Sequence, residues 1–198
     1  LMPNPLHVLI VEDSEDDAEL VVMELRRAGF ELTSLRVDST DGLRDALLSG
    51  PWDVILVDHS LPGFDAPAAL KMTQEYDPDL PVIVVSGTIG EDLAVEMMRA
   101  GATGYILKAN LTRLAMAIER EVRDAEHRRG RRRAEQAVRV SEARFQKMAD
   151  SVPVINWVTD ENHSCTYLNQ QWYNFTGQSE ESALGFGWLD ATHPDDRL

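Results

Sequence analysis

The chain has 198 residues, 43% of them hydrophobic, and a formal net charge of −15. That size and composition suit a folded protein with one sizeable core and part of a second, exclude a disordered tail, and argue against binding to phosphate backbones, which demand a positive surface. No apolar run approaches the roughly 20 residues that cross a bilayer, the opening LMPNPLHV lacks the basic start and apolar core of a signal peptide, and the single cysteine, Cys165, forms no internal disulfide, so a cytoplasmic protein is expected.

In chain order, HVLIV (7–11) reads as a strand, and SEDDAELVVMELRRAG as a helix. Ser14 can cap its first turn with Asp17 three residues on, Ala18, Val21, Val22, Leu25 and Ala28 form one apolar stripe, and Gly29 ends it. Helices near 40–49, 66–76 and 91–100, the last closed by Gly101, alternate with the runs VILV (54–57), VIVV (82–85) and YIL (105–107). These runs are β-branched and do not alternate with polar residues, as in parallel strands covered on both faces. Strands alternating with helices imply right-handed crossovers and a parallel α/β sheet.

Parallel strands place their carboxyl ends on one edge, where ligands bind. The residues just beyond the four runs are Glu12 and Asp13, Asp58, Ser86 and Lys108. Any one alone reads equally as a polar residue at the start of a loop. Together they have a chemical logic. Clustered carboxylates raise one another's pKa unless a cation joins them, and an all-oxygen set with few protein ligands suits Mg²⁺. A lysine for anionic oxygens and a hydroxyl donor around a free carboxylate are what phosphoryl transfer to that carboxylate requires.

At this point the segments HVLIVEDSEDDAELVVMELRRAG, WDVILVDHSLPG, PVIVVSGT and AGATGYILK resemble those of a two-component response regulator receiver domain over roughly residues 6–125. The resemblance implies a flavodoxin-like, doubly wound, five-stranded parallel sheet of order 2-1-3-4-5. It implies that Asp58 accepts a phosphoryl group from a phosphohistidine on a sensor histidine kinase or phosphotransfer protein. Mg²⁺ would be held by Glu12 through water, by Asp13, by Asp58 and by the backbone carbonyl of Ser60. Lys108 would pair with Asp58 at rest and with phosphoryl oxygens afterwards, Ser86 would swing toward them, and Tyr105 would turn inward as the readout. Addition of about −1.5 to −2 charge makes this a switch. Two positions stand out. Lys108 is followed by Ala109 where the family carries a cis proline, and His59 and Ser60 either tune hydrolysis of the acyl phosphate or face solvent. Pro62-Gly63 is expected to turn the chain away from Asp58 and leave it accessible.

After Asn110, read as an N-cap, about 40 residues run without proline. Leu111, Leu114, Ile118, Val122 and Ala125 form a stripe that would cover the receiver sheet. From Ala134 a heptad-like seam of Ala134, Val138, Ser141, Phe145, Met148 and Val152 suggests a signalling helix paired in a parallel homodimer. HRRGRRR between them offers no apolar position and reads as a solvated, hinged junction. Residues 1–125 hold 10 Lys/Arg against 23 Asp/Glu, 126–143 hold 6 against 3, and 144–198 hold 3 against 8, so two acidic units flank a basic connector. Eight of the 13 aromatic residues lie in the last 55 positions, which marks a second domain. WVTD, YLN, FTG and HPDD there resemble the first half of a PAS sensory domain, with about two of its five strands present before Leu198. The expected organisation is therefore a receiver at 1–125, a basic helical linker at 126–143 and a truncated PAS-like segment at 144–198.

Three functions are weighed. The first is a phosphorylation-controlled signalling module, from a hybrid sensor and regulator, in a phosphorelay. The second is a Mg²⁺-dependent aspartyl-phosphate hydrolase, although such enzymes usually carry a second acid where this chain has Ser60. The third is an unphosphorylated pseudo-receiver serving as a dimerisation scaffold. No histidine-kinase core is found in the chain, and no nucleic-acid or membrane partner is expected.

Overall fold

The computed structural model describes residues 4–61, 64–87, 90–193 and 195. The first half alternates strand and helix: β1 (Asn4–Val11), α1 (Glu15–Arg27), β2 (Phe30–Val37), α2 (Thr40–Ser49), β3 (Val54–Asp58), α3 (Ala66–Tyr76), β4 (Val82–Ser86), α4 (Glu91–Arg99) and β5 (Gly104–Leu107). The five strands form one parallel sheet in the order β2-β1-β3-β4-β5. This is the fold class expected from the sequence.

Each central strand sends alternate residues to opposite faces, and both faces are covered. Val8, Ile10, Val54, Leu56, Ile83 and Val85 meet Val21 and Leu25 of α1 on one side. Leu9, Val11, Ile55, Val57, Val82 and Val84 meet Leu43, Leu47, Leu70 and Met97 of α2, α3 and α4 on the other. Burial at about 1.5–3 kcal/mol for each large side chain makes these two layers the main source of stability. Strand β2, FELTSLRV, carries no apolar run like those of the other four strands. As an edge strand it pairs only with β1, and most of its residues are half-buried or exposed, so FELTSLRV never needed one.

The turn chemistry of the helices follows the sequence closely. Ser14 Oγ accepts the Asp17 backbone N–H at 3.2 Å, and Gly29 and Gly101, both with strongly positive φ, follow α1 and α4. Such backbone conformations are open to glycine at no steric cost. The junction after β5 departs from expectation. A 3-10 helix spans Lys108–Arg113, with Asn110 itself in a non-helical conformation, and helix α5 starts only at Leu114. The predicted stripe nevertheless packs: Leu114, Ile118 and Ala125 are fully buried, with Leu111 and Val122 beside them.

Helix α5 continues to Ser151 through Gly130. HRRGRRR is therefore neither broken nor fully solvated. Arg129 Nη2 donates to Asp77 Oδ2 at 2.8 Å, and Arg128 Nε lies 3.6 Å from Asp79 Oδ1, both acids on the turn between α3 and β4. The chain divides into two compact units, 1–131 and 132–198.

The second unit contains the end of α5, an antiparallel pair β6 (Trp157–Thr159) and β7 (Cys165–Leu168), α6 (Gln170–Thr176) and α7 (Glu180–Ala183). Cys165, Leu168 and Ala183 are buried among Trp172, Tyr173 and Trp188, a core built mostly from the aromatic residues concentrated there. Asn169 organises it. Its fully buried side-chain amide donates to the carbonyls of Ala149 at 2.7 Å and Val154 at 2.8 Å and accepts the Asn156 N–H at 3.0 Å. Among the described residues, no helix is long and apolar enough to cross a membrane.

Candidate functional site

Strand register assembles the site. Val11 pairs with Val57, so Glu12 and Asp58 leave neighbouring strands side by side, while Asp58 pairs with Val85 and Ser86 with Leu107. Glu12, Asp13 and Asp58 each offer a carboxylate oxygen within 4.8 Å of the others. Glu12 and Asp58 are buried, and Asp13 is exposed. Ser86, fully buried, ends β4 directly beside them.

Lys108, the first residue past β5, reaches back into this group despite Ala109 after it. Its Nζ lies 2.9 Å from Asp58 Oδ1, 2.8 Å from Glu12 Oε2 and 2.5 Å from Asp17 Oδ2. The other oxygens are held by the main chain: the Ser60 N–H donates to Asp58 Oδ2 at 2.8 Å and the Ser14 N–H to Glu12 Oε1 at 3.1 Å. His59 is half-buried and Ser60 exposed, with His59 Nδ1 3.3 Å from Ser60 Oγ. Pro62-Gly63, expected to turn the chain away, lies outside the described residues. Tyr105 is half-buried, packs against the aliphatic layer, and lines a cavity of about 240 Å³ with Gly90, Glu91, Ala94 and Arg113.

The electrostatics follow from this crowding. Burial pushes the Glu12 carboxyl above its ordinary pKa, and the charge on Asp58 pushes the same way, against the hydrogen bonds from Lys108 and Ser14. Burial alone would lower the pKa of Lys108, but its hydrogen bonds with Asp17, Glu12 and Asp58 outweigh that and raise it, so the ammonium stays charged.

Two participants were not read from the sequence. Asp17 appeared there only as an acid in the first turn of a helix, since a lysine 91 positions away leaves no local signal. Arg36 is the other. Its guanidinium donates to the backbone carbonyls of Glu12 at 2.9 Å and Asp13 at 3.3 Å, and to Glu15 at 3.2 Å, tying the acidic corner to the edge strand.

A buried acidic corner at the carboxyl edge of this sheet, closed by one lysine, defines a class, and comparison with known proteins agrees. The model of the response regulator receiver domain family matches residues 8–119, and the chain belongs to that family. A PAS domain model matches residues 143–198. Among curated relatives, the chemotaxis protein CheY of Treponema pallidum is 30% identical over 105 residues, covering 52% of this chain and 73% of that protein. The uncharacterized protein y4lL of Sinorhizobium fredii is 42% identical over 113 residues, and there the match covers 54% of this chain but 14% of the relative. Among solved structures, a CheY-like receiver domain protein from Methanospirillum hungatei superposes with a TM-score of 0.55 at 23% identity, over 63% of this chain and 99% of its own. NtrX from Brucella abortus does so with a TM-score of 0.56 at 28% identity, over 63% of this chain and 28% of its own. The chain is a receiver domain of two-component signalling followed by a PAS segment.

Proposed function

We propose that this chain is a phosphorylation-controlled switch whose acceptor is Asp58, phosphorylated by the phosphohistidine of a sensor histidine kinase or phosphotransfer protein. An Asp58 oxygen attacks phosphorus as the bond from phosphorus to the imidazole nitrogen breaks, and the bonding electrons return to the ring. The observation that carries this reading is the convergence of Glu12, Asp13 and Asp58 with Lys108 bound directly to Asp58. Charge neutralisation and positioning are the main demands of phosphoryl transfer.

The donor set fits Mg²⁺: Glu12, Asp13 and Asp58 each offer a carboxylate oxygen within 4.8 Å of the others, an all-oxygen set of the kind that ion takes. Glu12, Asp13 and Asp58 would hold the ion, with the Ser60 carbonyl completing the protein ligands, and it would neutralise charge on the transferred group. Lys108 and the buried Ser86 hydroxyl then serve the phosphoryl oxygens, and Tyr105 the readout. The heptad-like seam, all of it on α5 except Val152, which follows the helix end at Ser151, supports homodimerisation. Ala134, Val138, Ser141, Phe145, Met148 and Val152 are all exposed, although the Phe145 ring also lies 5.4 Å from that of Tyr167 in its own unit. A hybrid sensor and regulator is the setting we favour, because receiver and PAS matches follow each other in one chain.

Titration with beryllofluoride, an acyl-phosphate mimic, in the presence of Mg²⁺ tests this, read by tryptophan fluorescence and light scattering. We expect a saturable, Mg²⁺-dependent change in the wild type and none in Asp58→Asn, with any mass increase assigning dimerisation to the same event. Silence in both proteins would leave the scaffold reading, and turnover of a generic phosphate ester would favour the hydrolase.

A further inference from the structure

An ammonium has three N–H donors, and in Lys108 all three are placed, on Glu12, Asp58 and Asp17. To serve a phosphoryl oxygen the lysine must give one of them up. Glu12 and Asp58 are buried, and withdrawing a cation from a buried carboxylate is strongly unfavourable. Asp17 differs. Its side chain is 37% exposed, so water can take over when the lysine leaves. It also stands outside the carboxylate group of Glu12, Asp13 and Asp58, so holding the ammonium is what its carboxylate does in this site.

We infer that Asp17 is a positioning residue that competes with the phosphoryl group for the third N–H of Lys108. At rest it draws the ammonium toward the start of α1. When the phosphoryl group arrives, Lys108 exchanges Asp17 for a phosphoryl oxygen and keeps Glu12. The release of this contact therefore sets how readily the site takes up the charged group. This inference rests on Asp58 being the phosphoacceptor.

Asp17→Asn separates the contact from the fold, because the Ser14 cap uses the backbone N–H of residue 17 and is retained. At saturating Mg²⁺, beryllofluoride should bind Asp17→Asn about two- to fivefold more tightly than wild type, the upper part of the range set by one partly exposed ion pair. The gain should vanish when the same change is made in Lys108→Ala, or in Lys108→Met if the alanine variant does not fold. A purely structural role for Asp17 would leave no such coupling to the lysine. Unchanged or weaker binding in Asp17→Asn, or an equal gain without the lysine, overturns the competition. If the wild type itself gives no response, the phosphoacceptor reading falls and the inference falls with it. A wild type that responds with an affinity identical to that of Asp17→Asn removes the inference alone.

Discussion

Glu12 concentrates the tension of the site in one side chain, because it is buried beside Asp58 and carries a raised pKa. The folded protein therefore holds the Glu12 proton more tightly than the unfolded chain does. Between the ordinary value of 4.5 and the raised folded value, the folded state binds more protons, so stability falls as pH rises across that window and levels off above it. In EDTA, chemical denaturation should show this decline in wild type, and Glu12→Gln should lack that part of it. Parallel pH profiles for the two proteins would refute the assignment. At this scale the sequence was legible wherever a role coincided with a strand end, as for Glu12, Asp13, Asp58, Ser86 and Lys108. It was silent about Asp17 and Arg36, whose partners are 91 and 24 residues away and are brought near only by the winding of the sheet.

The elements divide in the same way. Strands covered on both faces announced themselves as aliphatic runs, and helices α1 to α4 were framed by their stripes and caps. Strand β2 did not, because an edge strand half in water has no composition to distinguish it from a loop. Asn169 shows a subtler limit. It occupies the N-cap position of α6, where its side chain would ordinarily cap the helix, yet it makes no cap hydrogen bond and joins Ala149, Val154 and Asn156 instead. Asp150 Oδ1 accepts the Gln170 N–H at 2.7 Å in its place. Asn169→Ala would orphan three backbone groups, and at about 1–3 kcal/mol for each buried one the loss is large against the stability of so small a unit. Amide hydrogen exchange should accelerate across β6, β7 and α6 and stay unchanged in β3 and β4. Unaltered protection in the second unit would show that the three contacts are not needed to hold it.

At the scale of the whole molecule, helix α5 runs through the division between residues 131 and 132, and the stretch around it carries Arg131, Arg132, Arg133 and Arg139 on exposed helical surface. A loop with that many arginines would be cut by trypsin at once. A helix is a different substrate, since the protease needs an extended segment and must wait for local unwinding. Under such conditions the cleavage rate reports the population of the opened form. Replacing Gly130, whose added Cβ would meet nothing within 4 Å, by alanine should slow tryptic cutting in this stretch by about two- to fivefold, the equivalent of roughly 0.5–1 kcal/mol of helix propensity. Equal rates for the two proteins would mean that cleavage does not pass through unwinding at this glycine. Trypsin thereby becomes a gauge of how firmly the shared helix holds its middle, with the connector's own arginines as the graduations.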